Sequence, residues 1–125
     1  MNYDEFIEAY FNTINLAMNW AKKARCEGLL ALEEDLDFEK SLDRDIFHYG
    51  MRFVVDGTDY EFIDTILSRI ITHEKDSLKS LLKTIQKEAV LAIQEGVNPR
   101  ILVLVLNSYV DIPLGDPRFR KIMEN

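Results

Sequence analysis

The chain has 125 residues, 22 of them acidic and 15 basic, for a formal net charge of −7. Hydrophobic residues make up 47% and charged residues 30%, the balance of a single globular domain with a core rather than a disordered or fibrous chain. Five glycines and three prolines disfavour a turn-rich β-sandwich, and the acidic balance speaks against nucleic acid as a partner, which needs clustered Lys and Arg.

The longest apolar run, Ile101 to Leu106, is six residues, where a membrane-spanning helix needs about 20. The N-terminus, MNYDEFIEAY, carries three acids and no base, unlike a secretory signal. One cysteine, Cys26, excludes an intrachain disulfide. The expectation is a soluble, cytoplasmic protein that does not insert into the membrane.

In chain order, apolar residues recur at Phe6, Ile7, Tyr10, Ile14, Ala17, Ala21 and Ala24, widened by Leu16 and Trp20, so a helix is expected from Tyr3 to Glu34. Gly28 interrupts that pattern and marks a bend or a close packing contact. Between Glu33 and Asp45 stand seven acids and two bases, net −5, the composition of a connector. A second helix is expected from Ser41 or Asp43 to Val55, ending at Asp56-Gly57. Thr58 and Glu61 match a capping box, opening a third helix with Phe62, Ile66, Ile70 and His73 on one apolar face.

The apolar pattern lapses over residues 73–77 and resumes at Leu78, Leu81, Leu82, Ile85, Ala89 and Ile93, stopping at Glu95-Gly96 with a left-handed glycine cap. Asn98-Pro99 reads as N-cap and first residue of a further helix. Its body, Ile101, Leu102, Val103, Leu104, Val105 and Leu106, also suits a buried strand on composition. Helix is preferred because no second strand is evident to pair with it. A helix apolar all round must be covered, by the core or by another copy, so these six residues are candidates for self-association. Residues 111–125, with Pro113 and Pro117, are expected to be irregular. The whole is expected to be all-α, one compact bundle of four to five helices.

Little in the sequence is catalytic. No two glycines have phosphate-loop spacing. Asp35-Leu36-Asp37-Phe38-Glu39 starts like a calcium loop but has Lys40 at the sixth position and Ile46 at the twelfth. His48 and His73 lack zinc-ligand spacing, and Cys26 beside Arg25 reads as an inert helix cysteine before it reads as a reactive thiol. No enzyme activity, metal or cofactor is expected.

Three passages carry a resemblance. Ala24-Arg25-Cys26-Glu27-Gly28-Leu29-Leu30-Ala31-Leu32-Glu33-Glu34 is similar to the "AR-x-EGLLALE" segment of MotA-type stator subunits of the bacterial flagellar motor. Phe53-Val54-Val55-Asp56-Gly57-Thr58-Asp59 is similar to their "VVDGTD" turn. Leu91-Ala92-Ile93-Gln94-Glu95-Gly96-Val97-Asn98-Pro99-Arg100 is similar to "LAIQ-x-GxNPR" in their C-terminal tail. Order and intervals match over roughly residues 17 to 106. The related ExbB and TolQ proteins share the architecture without these strings.

The resemblance implies a cytoplasmic interaction domain of the motor that contacts the rotor switch protein FliG, with Arg25 and Glu33 as the rotor-facing charges. On one continuous helix, eight residues advance about 12 Å and turn by roughly 80°, which would leave both on one outer surface. Homo-oligomers are also implied, since family subunits assemble as rings. The departures are two: the family's membrane spans are missing, none preceding Tyr3 and Asp76 running straight into Ser77 where the family has two more, and the segment after Asn98-Pro99-Arg100 reads ILVLVL where family tails are mixed polar and apolar. Ion conduction is therefore not expected. The helices meeting at that junction should form a hairpin turning within Lys75 to Lys79, joining a loop-like part (1–76) to a tail-like part (77–110).

Overall fold

In the computed structural model, which describes residues 1–37, 39 and 45–124, six α-helices and one 3-10 segment follow each other, with no strand among the described residues. Helix α1, Tyr3–Glu27, starts on a capping box: the Asn2 side chain accepts from the Glu5 N–H at 2.8 Å, and the Glu5 carboxylate accepts from the Asn2 N–H at 3.0 Å. Phe6, Ile7, Tyr10, Ile14, Ala17, Trp20 and Ala21 are buried as the spacing predicts, and Phe11 and Met18 join them. Apolar contact on this many sides makes α1 the central helix, packed by α4, α5, α6 and the 3-10 segment.

The helix does not run on to Glu34. It stops at Gly28, whose backbone turns to φ 92° and ψ 161° while its N–H still bonds the Ala24 carbonyl at 2.8 Å. A Cβ at Gly28 would meet nothing within 4 Å. The glycine is thus required by its backbone angles rather than by packing, since that region is essentially closed to other residues. The chain continues as a 3-10 turn over Leu29–Asp35, pinned by fully buried Leu32.

Helix α2, Ile46–Val55, is capped by Asp45, whose carboxylate accepts from the His48 N–H at 3.1 Å. The expected start at Ser41 or Asp43 lies outside the described residues. At its C-terminus Gly57, at φ 79°, allows two back-bonds, Gly57 N–H to Val54 O and Thr58 N–H to Phe53 O, which satisfy otherwise free carbonyls.

Helix α3, Tyr60–Ile71, corrects two expectations. Its N-cap is Asp59, without a side-chain cap bond, so no Thr58–Glu61 capping box forms. Its buried residues are Ile63 and Leu67, while Phe62 is 63% exposed and His73 lies in the turn beyond the helix, facing solvent. The stripes 62/66/70 and 63/67 are equally helical. The second meets α4 and α2, and burying each of its side chains contributes roughly 1.5–3 kcal/mol.

Helix α4, Ser77–Gln94, returns antiparallel to α3: Asp64 sits 3.3 Å from Lys87, and Glu74 2.8 Å from Lys83. The hairpin exists, but its turn spans Thr72 to Asp76, three residues earlier than expected, because the Asp76 carboxylate caps α4 through the Lys79 N–H at 2.9 Å. Gly96, at φ 75°, ends α4 as its pattern predicts.

The residues from Asn98 settle as helix. The Asn98 side chain accepts from the N–H groups of Arg100 and Ile101, and α5 runs Pro99–Asn107. The tail departs from its expected irregularity. Asp116 accepts from the Arg118 N–H at 2.9 Å, Pro117 takes the first helical position, and α6 covers Pro117–Glu124. Phe119 and Ile122 are buried there, with Phe119 edge-on to Phe11 at 4.9 Å between ring centroids. Taken together, α1, α2, α4 and α5 enclose the core, α3 leans on α4, and α6 seals the first half of α1.

Candidate functional site

The junction after α1 gathers the charges that the sequence singles out. Arg25 lies in the last turn of α1, where its positive charge complements the negative end of the helix dipole. It is exposed. Glu33, on the 3-10 segment, is exposed too. Neither enters an ion pair among the described residues.

The break at Gly28 removes the single-helix geometry expected for the pair. The segment folds back along α1 instead. Lys23, half a turn before Arg25, is held by Glu34 and, at 3.1 Å, by Asp35, the two residues directly after Glu33. Those hydrogen bonds raise the Lys23 pKa above its ordinary value, Glu34 contributing more than Asp35. Burial of Leu32 gives a second anchor. The third is His48, whose Nδ1 accepts the Asp37 N–H at 3.1 Å while its ring stands edge-on to Trp20 at 5.2 Å.

These anchors hold the 29–37 segment in one place, so Arg25 and Glu33 are presented from a fixed surface rather than from a loose loop. Between them in sequence, Leu30 is 72% exposed, a large apolar side chain flanked by two exposed charges that have no ion pair among the described residues. That combination, an apolar centre with a charged surround, suits protein recognition, where exposed charges steer encounter and an apolar anchor supplies area. Sequence reasoning missed Leu30 because the segment looked like continued helix, and it missed the Lys23 clamp for the same reason.

Glycine at position 28 controls this arrangement. Replacing it with alanine is expected to cost about 1–3 kcal/mol through backbone strain and to release the 3-10 segment. Urea denaturation would read the loss, and amide exchange at residues 29–37 would accelerate relative to α4.

The second candidate group, on α5, is divided by the structure. Leu102, Val103 and Leu106 are wholly buried against α1 and α4, whereas Ile101, Leu104 and Val105 are 51%, 41% and 38% exposed. Only the latter three face outward. No helix among the described residues is long and apolar enough to cross a membrane.

Comparison with known proteins finds sequence relatives of one kind. Motility protein A of Treponema pallidum (strain Nichols) is 33% identical over 85 residues, 68% of this chain and 32% of that protein. The motility protein A of Borreliella burgdorferi is 41% identical over 59 residues, 47% of this chain and 22% of its own length. That of Treponema phagedenis is 32% identical over 85 residues, again 68% and 32%. The matched region thus spans about a third or less of these relatives. No family model matches the chain, and no solved structure matches it.

Proposed function

The chain is a MotA-type relative, and from that premise we propose that it acts as a cytoplasmic protein–protein interaction module of the flagellar motor stator, at the inner face of the membrane, contacting the switch protein FliG and not itself conducting ions. The observation that carries this reading is the anchored 29–37 segment directly after α1, with Arg25, Leu30 and Glu33 each exposed and both charges without an ion pair among the described residues. Exposed opposite charges at fixed positions discriminate between partners, because a like charge placed opposite either one is repelled.

Titration of the full chain against FliG of the same species tests it. Micromolar affinity is expected, with Arg25→Glu and Glu33→Lys each weakening it at least fivefold at low salt and progressively less as salt rises. Both variants should stay folded: Glu33→Lys should leave thermal stability nearly unchanged, and Arg25→Glu should lower it by about 1 kcal/mol, because it places a negative charge at the negative end of the α1 dipole. Wild-type affinity in the two reversals would remove these residues from the contact.

A second reading is a self-associating helical module without motor contact, favoured by the exposed Ile101, Leu104 and Val105. Sedimentation at micromolar concentration separates the two: a monomer that binds FliG supports the first, and an oligomer indifferent to FliG supports the second.

A further inference from the structure

A groove of about 390 Å³ opens between the start of α3, the second half of α4 and α5. Its floor is apolar, formed by Leu91, Ala92, Val97 and Val105, with the buried Leu102 directly beneath them. Its rim is acidic, with Asp64 from α3 and Glu88 and Glu95 from α4 and its cap. The single cation among the lining residues, Lys87, is already engaged, 3.3 Å from Asp64 and 3.0 Å from the Ser68 hydroxyl.

Tyr60 stands at one edge. Burial raises its hydroxyl pKa above the ordinary value, and Glu95, Asp64 and Glu88 push it the same way, so all three carboxylates reach the same space. Beyond Val105 the apolar surface continues along the outer side of α5 through Ile101 and Leu104. Tyr109 extends it further and donates its hydroxyl to Glu88. Large exposed apolar side chains therefore cluster beside a carboxylate-rimmed groove, where isolated ones would need no explanation.

We propose that this groove docks a cationic amphipathic helix of a partner protein, with its apolar stripe on the Leu91–Val105 floor and its Lys or Arg residues over Glu95 and Glu88. Charge decides the occupant. A second copy seated through a two-fold contact would bring Asp64, Glu88 and Glu95 of both chains together, in a protein of net charge −7. Nucleic acid and anionic membrane surfaces carry the same sign as the rim. A helix with an apolar stripe flanked by basic residues complements both the floor and the rim. The groove lies on elements other than those carrying Arg25 and Glu33, so occupancy here is independent of any contact made there.

The test uses a fluorescently labelled 18-residue helix with leucine on one face and lysine on the other, titrated into the full chain. Controls are its scrambled counterpart and a version with glutamate for lysine. The lysine helix is expected to bind at least tenfold more tightly than either control. Its amide chemical-shift changes should map to α4, α5 and the start of α3. Val105→Arg and Glu95→Lys, both at exposed positions, should each weaken binding at least fivefold without changing the circular dichroism spectrum. Three outcomes overturn the proposal: equal binding of the scrambled peptide, shifts confined to the 23–37 surface, or a wild-type dimer that Val105→Arg dissolves. The last would assign the groove to a second copy.

Discussion

Replacing Asn107 with leucine is expected to lower stability by about 3–5 kcal/mol, enough to approach the total stability of a domain this size. Asn107 sits 6% exposed at the end of α5 and joins three separate pieces of chain. Its Oδ1 accepts from the Tyr10 hydroxyl of α1 at 2.7 Å and from the Ile112 N–H at 3.3 Å, and its Nδ2 donates to the Ile112 carbonyl at 2.9 Å. Its own carbonyl accepts from the N–H of Asp111, which takes a left-handed φ of 56° to make the turn. Leucine fills the volume but leaves the Tyr10 hydroxyl buried without an acceptor, and it frees the turn that leads to α6. Tyr10→Phe removes only one of these bonds and leaves Asn107 bonded to Ile112, so about 1–2 kcal/mol is expected. Urea denaturation of both variants gives the comparison, and a larger loss for Tyr10→Phe would contradict it.

Tyr10 and Tyr109 together set an alkaline limit. Burial pushes the Tyr10 hydroxyl pKa well above its ordinary value, and the bond to Glu88 raises that of Tyr109 to about 12, assisted by burial. Both are groups whose folded pKa exceeds the unfolded value. Their contribution is therefore complete below about pH 10 and is lost as pH rises above it, because the unfolded chain releases these protons first. Stability should fall between about pH 10 and 12, and the fall should be shallower in Tyr10→Phe.

Gly50→Leu is the second large effect, expected to cost about 3 kcal/mol or more by overpacking. A Cβ at Gly50 would already lie 2.8 Å from Val90 Cγ2 and 2.9 Å from Leu67 Cδ1, so α2 approaches α4 and α3 only because no side chain intervenes. Alanine is a gentler case. Helix propensity returns up to about 1 kcal/mol, and the Leu67 methyl can shift, although the β-branched Val90 cannot easily do so. Gly50→Ala should therefore stay within about 2 kcal/mol of the wild type. If leucine were tolerated as well as alanine, α2 and α4 would not be in the described contact.

Local signals read well from the sequence wherever one residue type dictates one backbone state. Gly57 and Gly96 ended their helices at left-handed angles, and Asn98-Pro99 opened α5 despite the β-branched run behind it. The buried face of α1 also followed directly from its spacing. Competing registers were not resolvable in this way. In α3 two equally periodic stripes existed, and only contact with α4 chose Ile63 and Leu67. At Gly28 the apolar pattern continued through a backbone break, because Leu32 remains buried on the 3-10 segment much as it would on a helix. That concealed both the clamp on Lys23 and the exposure of Leu30. The tail misled for a related reason: Pro117 read as a breaker when it was a first helical residue, and Asp116 before it was the available sign. On α5, composition named six apolar residues, but only tertiary packing separated the three that fill the core from the three that face outward.

A reciprocal charge swap tests the rotor-facing role of the Arg25/Glu33 surface most directly. The full chain carrying Arg25→Glu would be titrated against FliG variants in which single surface acidic residues are changed to lysine. The expected result is that the Arg25→Glu chain binds wild-type FliG at least fivefold more weakly than the unaltered chain and regains affinity with one such variant, with the recovery shrinking as salt is raised. Equal affinity of both chains for wild-type FliG and for every variant would contradict a contact through this surface.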